Sequence, residues 1–251
     1  MRRSRLTEAT LVLLLITAAC ASAADVWLRE THFIIYEVQA GAEVAFTMTP
    51  QGSGTADPAP MSWRAYDMDG AIIAEGRPEA STVTVRYIPR ESGLNIARLT
   101  GGRNWYSLAP AGGSTALADD CYGIVSSEHA HLHTCGDARA MYFYVPEGVR
   151  RVRPFVLASS PREGATFRII DPDGKVAAEM ADQFDRPTRV QAQVEAGQDG
   201  RVWSFRLAPA EGMPFDDVVV WFESGGDVPP LVSYNPEALE RLLQKIPGAL
   251  P

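Results

Sequence analysis

Two stretches of this chain repeat each other at a fixed spacing of 104 residues. Trp63-Arg64-Ala65-Tyr66-Asp67-Met68-Asp69-Gly70 runs on to Ala74-Glu75, and Phe167-Arg168-Ile169-Ile170-Asp171-Pro172-Asp173-Gly174 runs on to Ala178-Glu179. Weaker matches at offsets near 107 link Glu37 through Gly41 with Tyr144 through Gly148, and Gly93 through Leu99 with Gly200 through Leu207. A duplication constrains the fold strongly, because an architecture that suits one copy has to serve the other.

Within each copy the apolar residues come in short alternating runs broken by turn formers, the period of half-buried strands. In the first copy these are Phe33 to Val38, Val44 to Met48, Ser62 to Tyr66, Ala71 to Ala74, Thr82 to Tyr87 and Leu94 to Leu99. In the second they are Ala140 to Val145, Val152 to Leu157, Thr166 to Ile170, Lys175 to Ala178, Thr188 to Val194, Val202 to Leu207 and Val218 to Phe222. Strands that alternate sides at every residue suit two antiparallel sheets packed face to face. The reading is therefore an all-β protein of two tandem antiparallel β-sandwich domains, residues 24–108 and 138–233. Residues 109–137 are expected as a linker carrying a cysteine-bounded loop. After Pro229-Pro230, Asn235-Pro236-Glu237 offers a cap, a first-turn proline and an acidic first turn for a short C-terminal helix within 234–251, expected against a sandwich edge.

The N-terminus carries Arg2, Arg3 and Arg5, an apolar run from Leu11 to Ala19, then Ala21-Ser22-Ala23, the order of a secretory signal peptide cleaved after Ala23. The run is about half the length of a membrane-spanning helix, so the mature chain is expected to be secreted or periplasmic with no transmembrane segment. Lipoprotein processing at Cys20 is the alternative. In an oxidising compartment Cys121 and Cys135 read as one disulfide, with a zinc-type thiol pair as the other option. The formal net charge of -8 repels phosphate backbones and argues against nucleic acid as a partner.

Glu128-His129-Ala130-His131-Leu132-His133 is the densest cluster of potential metal ligands, with three of the chain's 4 histidines at alternate positions. On one extended strand they share a face, but His129 and His133 would stand roughly 13 Å apart, too far to share one ion without a bend or a carboxylate curling back. The bland reading is a polar strand face, and the chemical one a divalent metal held by His129, His131, His133 and Glu128. Asp67-x-Asp69-Gly70 and Asp171-x-Asp173-Gly174 are better explained as hairpin turns than as calcium loops, since glycine permits positive φ and aspartate bonds its own turn. Along Arg103-Asn104-Trp105-Tyr106 the two aromatics face opposite sides of a strand, so one of them is a candidate surface contact, with Arg103 or Asn104 supplying hydrogen bonds. No G-x-S-x-G, H-E-x-x-H, phosphate-loop or dinucleotide signature is present.

Met141 through Arg153, Asp171-Pro-Asp-Gly-Lys-Val, Gly200-Arg-Val-Trp-Ser-Phe-Arg-Leu and Val228-Pro-Pro-Leu resemble accessory β-sandwich modules of secreted bacterial glycan-associated proteins. The resemblance implies a jelly-roll or galactose-binding-like sandwich with a non-catalytic role, and it designates no catalytic residue. Together these features lead to an exported non-catalytic binding or accessory protein with no cofactor. Its ligand would be a carbohydrate or an extracellular or envelope protein, met at the sandwich loops or the interdomain surface. The alternatives are a metal-dependent hydrolase or lyase using the His129, His131 and His133 loop, and a structural component of an envelope complex.

Overall fold

A computed structural model describes residues 27–51, 58–110, 122–136, 139–223 and 225–246. The first half forms β1 (Trp27–Val38), β2 (Val44–Gln51), β3 (Ser62–Tyr66), β4 (Ile72–Glu75), β5 (Val83–Tyr87) and β6 (Gly93–Pro110). Two short strands follow, β7 (Tyr122–Val125) and β8 (Leu132–Cys135). The second half forms β9 (Met141–Val145), β10 (Arg151–Val152), β11 (Phe155–Ala158), β12 (Ala165–Ile170), β13 (Val176–Asp182), β14 (Thr188–Arg189), β15 (Ala192–Gln193), β16 (Arg201–Ala208), β17 (Asp217–Trp221) and β18 (Leu231–Ser233), and the described chain closes with α1 (Pro236–Leu243). The all-β, antiparallel expectation is met.

The repeat is visible in the hydrogen bonding. Arg64 faces Glu75 across β3 and β4, and Arg168 faces Glu179 across β12 and β13, each pair joined by an ion pair. The ladder slips by one residue at Ala65/Tyr66 and again at Ile169/Ile170, where the chain turns. Asp67 Oδ1 accepts from the backbone N–H of Asp69 and Ala71 at 3.0 and 2.8 Å, and Asp171 Oδ1 accepts from Asp173 and Lys175 at the same two distances. Gly70 and Gly174 complete the turns at φ 85° and 83°. Both aspartates spend their inner oxygen on backbone, as the hairpin reading requires.

Two ladders run through the molecule. One follows β4-β3-β6-β1-β7-β18-β9-β16-β12-β13. The other follows β5-β2-β6-β1-β8-β17-β11-β14. β1 and β6 serve both, being long enough to leave one sheet and enter the other. The inward residues of the two ladders meet in one core, where Tyr36 and Tyr87 share a hydroxyl hydrogen bond of 2.7 Å, Trp63 stacks on Tyr87, and Phe143 contacts Phe222.

The stretch expected as a linker supplies β7 and β8, which hydrogen-bond to β1 on one side and to β18 and β17 on the other. Strands of four residues are too short to show a period, which is why the sequence hides them. Cys121 lies outside the described residues, as do the signal segment and Cys20. Its neighbour Tyr122 pairs with Tyr36, whereas Cys135 pairs with Trp27, roughly 30 Å back along the same strand at the usual rise per residue.

Helix α1 is capped as its sequence predicts, with the Asn235 side chain accepting from Glu237 N and Ala238 N at 2.9 and 3.2 Å. It differs from expectation in its seat. Leu239, Leu242 and Leu243 bury against Ile35 of β1, Leu94 of β6 and Leu231 of β18, on a sheet face where the two halves join and not at an edge. Three leucines on one side of a two-turn helix need a broad apolar floor, and the outer face of the first ladder provides it.

Candidate functional site

Where β1 passes from one ladder to the other, the pairing jumps from Arg29 opposite Trp105 to Thr31 opposite Thr100. Glu30 sits alone at this bulge with φ 66°, a left-handed conformation that costs a side-chain-bearing residue about 1–2 kcal/mol. The bulge turns its carboxylate toward the start of β8. Glu30 Oε2 lies 3.3 Å from His131 Nε2 and 3.6 Å from His133 Nδ1. The three ligand atoms fall within 4.8 Å of one another. Burial pulls the Glu30 carboxyl upward, but the His131 hydrogen bond and the nearby charge of His133 and His131 outweigh it and hold the group below its ordinary range.

His133 is 2% exposed. Its Nε2 stands 3.4 Å from Ser159 Oγ and 3.6 Å from Asp217 Oδ1, while its Nδ1 is buried with no hydrogen-bond partner. Asp217 is in turn held by an ion pair with Arg29. Beneath the ring, the backbone N–H of His133 donates to His32 Nε2 at 3.1 Å, and His32 Nδ1 meets the Tyr106 hydroxyl at 2.8 Å. His32 is fully enclosed, so burial first, then His133 and His131, push its ring down to about 3. It is neutral, and because Nε2 accepts, the proton is on Nδ1.

The four histidines therefore divide. His131 and His133 converge with Glu30. Ser127 and Ala130 bond each other's backbone across a two-residue turn, which places Glu128 and His129 at an exposed tip, 3.2 Å from each other and away from the cluster. The alternate spacing keeps only the two histidines that follow this turn on one extended segment. Glu30 was not legible as their partner, being 101 residues from His131 in an unremarkable run. His32, Arg29, Ser159 and Asp217 were likewise unmarked.

Along β6 the four predicted contact residues also separate. Tyr106 is the core member, on His32. Asn104 is buried and bonds both backbone groups of Ala59, receiving from its N–H at 2.8 Å and donating to its C=O at 2.6 Å. Arg103 is exposed, and Trp105 is half-buried with its indole Nε1 enclosed and unpartnered.

A second feature lies at the β3–β4 end of the first ladder. A groove of about 640 Å³ is lined by Ser62, Trp63, Arg64, Glu75, Gly76, Arg77, Pro78, Arg98 and Thr100. Arg64 and Arg98 are cross-strand neighbours, as are Ser62 and Thr100. Glu75 engages Arg64 at 2.9 Å; Arg77 and Arg98 are exposed and form no ion pair among the described residues. Like charges directly opposite on a sheet destabilise it, and Glu75 offsets this at Arg64 as Glu179 does at Arg168, which faces Arg206.

No protein-family model matches the chain, and no curated protein does either. Among solved structures, one from Clostridium perfringens ZmpB, containing an M60 catalytic domain with two CBM51 domains, is 8% identical over 83% of this chain, with a TM-score of 0.24. The chain spans only 35% of that structure's length. The N-terminal CBM22 tandem domain of Paenibacillus barcinonensis Xyn10C is 9% identical over 82% of this chain and 79% of its own, with a TM-score of 0.17. No helix among the described residues is long and apolar enough to cross a membrane.

Proposed function

We propose that the protein is an exported, non-catalytic binding protein that takes an acidic carbohydrate in the groove beside Trp63. The observation that carries this reading is the convergence of Arg64, Arg77 and Arg98 with two hydroxyls in one groove of small-ligand size. Guanidinium forks match carboxylates in plane and two bonds at a time, while Ser62 and Thr100 can donate to or accept from sugar hydroxyls. The charged, apolar, small-residue order at the N-terminus supports export.

The test is a titration of the protein with oligogalacturonate and with a neutral oligosaccharide of equal length. Saturable binding of the acidic sugar, weakened by salt and by Arg98→Ala or Arg77→Ala but not by Ile88→Ala, is the expected result. Equal binding of both sugars, or none of either, sinks the reading.

A further inference from the structure

We infer that Glu30, His131 and His133 form a binding site for one zinc-class divalent transition-metal ion at the seam between the two halves. Two ligands bound tetrahedrally to zinc at its usual bond lengths stand about 3.3–3.4 Å apart. The separations of Glu30 Oε2 from His131 Nε2 and His133 Nδ1, 3.3 and 3.6 Å, bracket that value. Two imidazoles with one carboxylate select zinc and its neighbours over calcium or magnesium, which favour oxygen.

Three further observations point the same way. First, His133 Nδ1 is a buried polar atom with no hydrogen-bond partner, aimed at the Glu30 carboxylate. When Nε2 carries the ring proton toward Ser159 and Asp217, Nδ1 presents a lone pair to a carboxylate oxygen, and a cation between them removes that conflict. Second, Asp217 beside Nε2, itself clamped by Arg29, gives the carboxylate–imidazole–metal order that orients metal-binding histidines. Third, Glu30 occupies a left-handed backbone position that glycine would fill without strain. Keeping a carboxylate there makes sense if the side chain has work to do. Glu30 and His131 remain partly open to solvent, which leaves the fourth position to water or an exchangeable ligand.

The site shares no residue with the arginine groove, so the two readings fail separately. The experiment is zinc titration of the full chain after chelator dialysis, followed by calorimetry and by the zinc-dependent rise in Tm. The expected result is one ion per chain. His131→Ala and Glu30→Gly should each weaken binding by about tenfold or more, while His129→Ala binds as the parent does. Glu30→Gly also distinguishes function from folding: its metal-free Tm should equal or exceed the parent's while the zinc-dependent rise disappears. The inference is overturned if the parent takes up no zinc at about 0.1 mM, or if Glu30→Gly and His131→Ala bind as the parent does.

Discussion

The Tyr106 hydroxyl and His32 Nδ1 meet 2.8 Å apart inside the core, and the other ring nitrogen of His32 receives the backbone N–H of His133. One buried imidazole thus connects β6, β1 and β8 at the point where the two halves join. Both ring nitrogens are satisfied, which is what makes a polar ring tolerable there. Its neutrality follows from enclosure, and it leaves charge in this neighbourhood to the groups nearer the surface.

Removing the hydroxyl strands the His32 N–H without an acceptor. Tyr106→Phe should therefore destabilise the protein by about 1–3 kcal/mol, more than the loss of an average exposed hydrogen bond. His32→Ala should cost more, since it orphans both the hydroxyl and the His133 N–H and opens a cavity. Urea unfolding midpoints compare the three proteins directly; a Tyr106→Phe variant as stable as the parent would mean that the contact is not formed.

The two repeated turns look alike but are not equally invested. Among the described residues Asp67 bonds only within its turn, whereas buried Asp171 also accepts from Gln198 Nε2 at 2.7 Å, and the Gln198 backbone carbonyl receives Trp203 Nε1 at 2.8 Å. Asp67→Ala should cost about 1 kcal/mol and Asp171→Ala about 2–3 kcal/mol. Burial pulls the Asp171 carboxyl up, yet the Lys175 N–H, the Gln198 amide and the Asp173 N–H prevail and hold it below the ordinary carboxylate range. A folded value below the unfolded one of about 3.9 means that the stabilisation is present above that pH and lost as pH falls through the folded value. Stability curves of the parent and Asp171→Ala should accordingly converge in acid, and curves that stay parallel below pH 4 would contradict the assignment.

The parts of the fold legible from sequence are those set by local pattern. Alternation marked the strands from Val44 to Met48 and from Val202 to Leu207, the doubled Asp-x-Asp-Gly marked both hairpins, and Asn235-Pro236 marked the helix start. What local pattern cannot carry is pairing across the chain. β7 and β8 have four residues each, and their role comes from partners on β1, β17 and β18. Similarly, the histidine row keeps His131 and His133 together, but the turn at Glu128-His129 carries the third away, and a bulge about a hundred residues upstream brings Glu30 beside them. The arginine groove was missed because Arg64, Arg77 and Arg98 come from three separate segments and look like ordinary surface charge in sequence.

Gly76 borders that groove and packs closely on Trp63. A Cβ built there would lie 2.0 Å from Trp63 Nε1 and 2.7 Å from its Cδ1 and Cε2. The indole is 5% exposed and stacked on Tyr87 at 6.3 Å between ring centroids, so it has little room to retreat. Backbone strain is not the issue, since Gly76 is not among the glycines with positive φ. Gly76→Ala should then cost about 1–3 kcal/mol through overpacking and displace the indole from its seat on Tyr87. Thermal unfolding together with tryptophan fluorescence gives both readouts. If the alanine variant keeps the parent's Tm and emission maximum, the close approach of Trp63 to the chain at Gly76 is not formed.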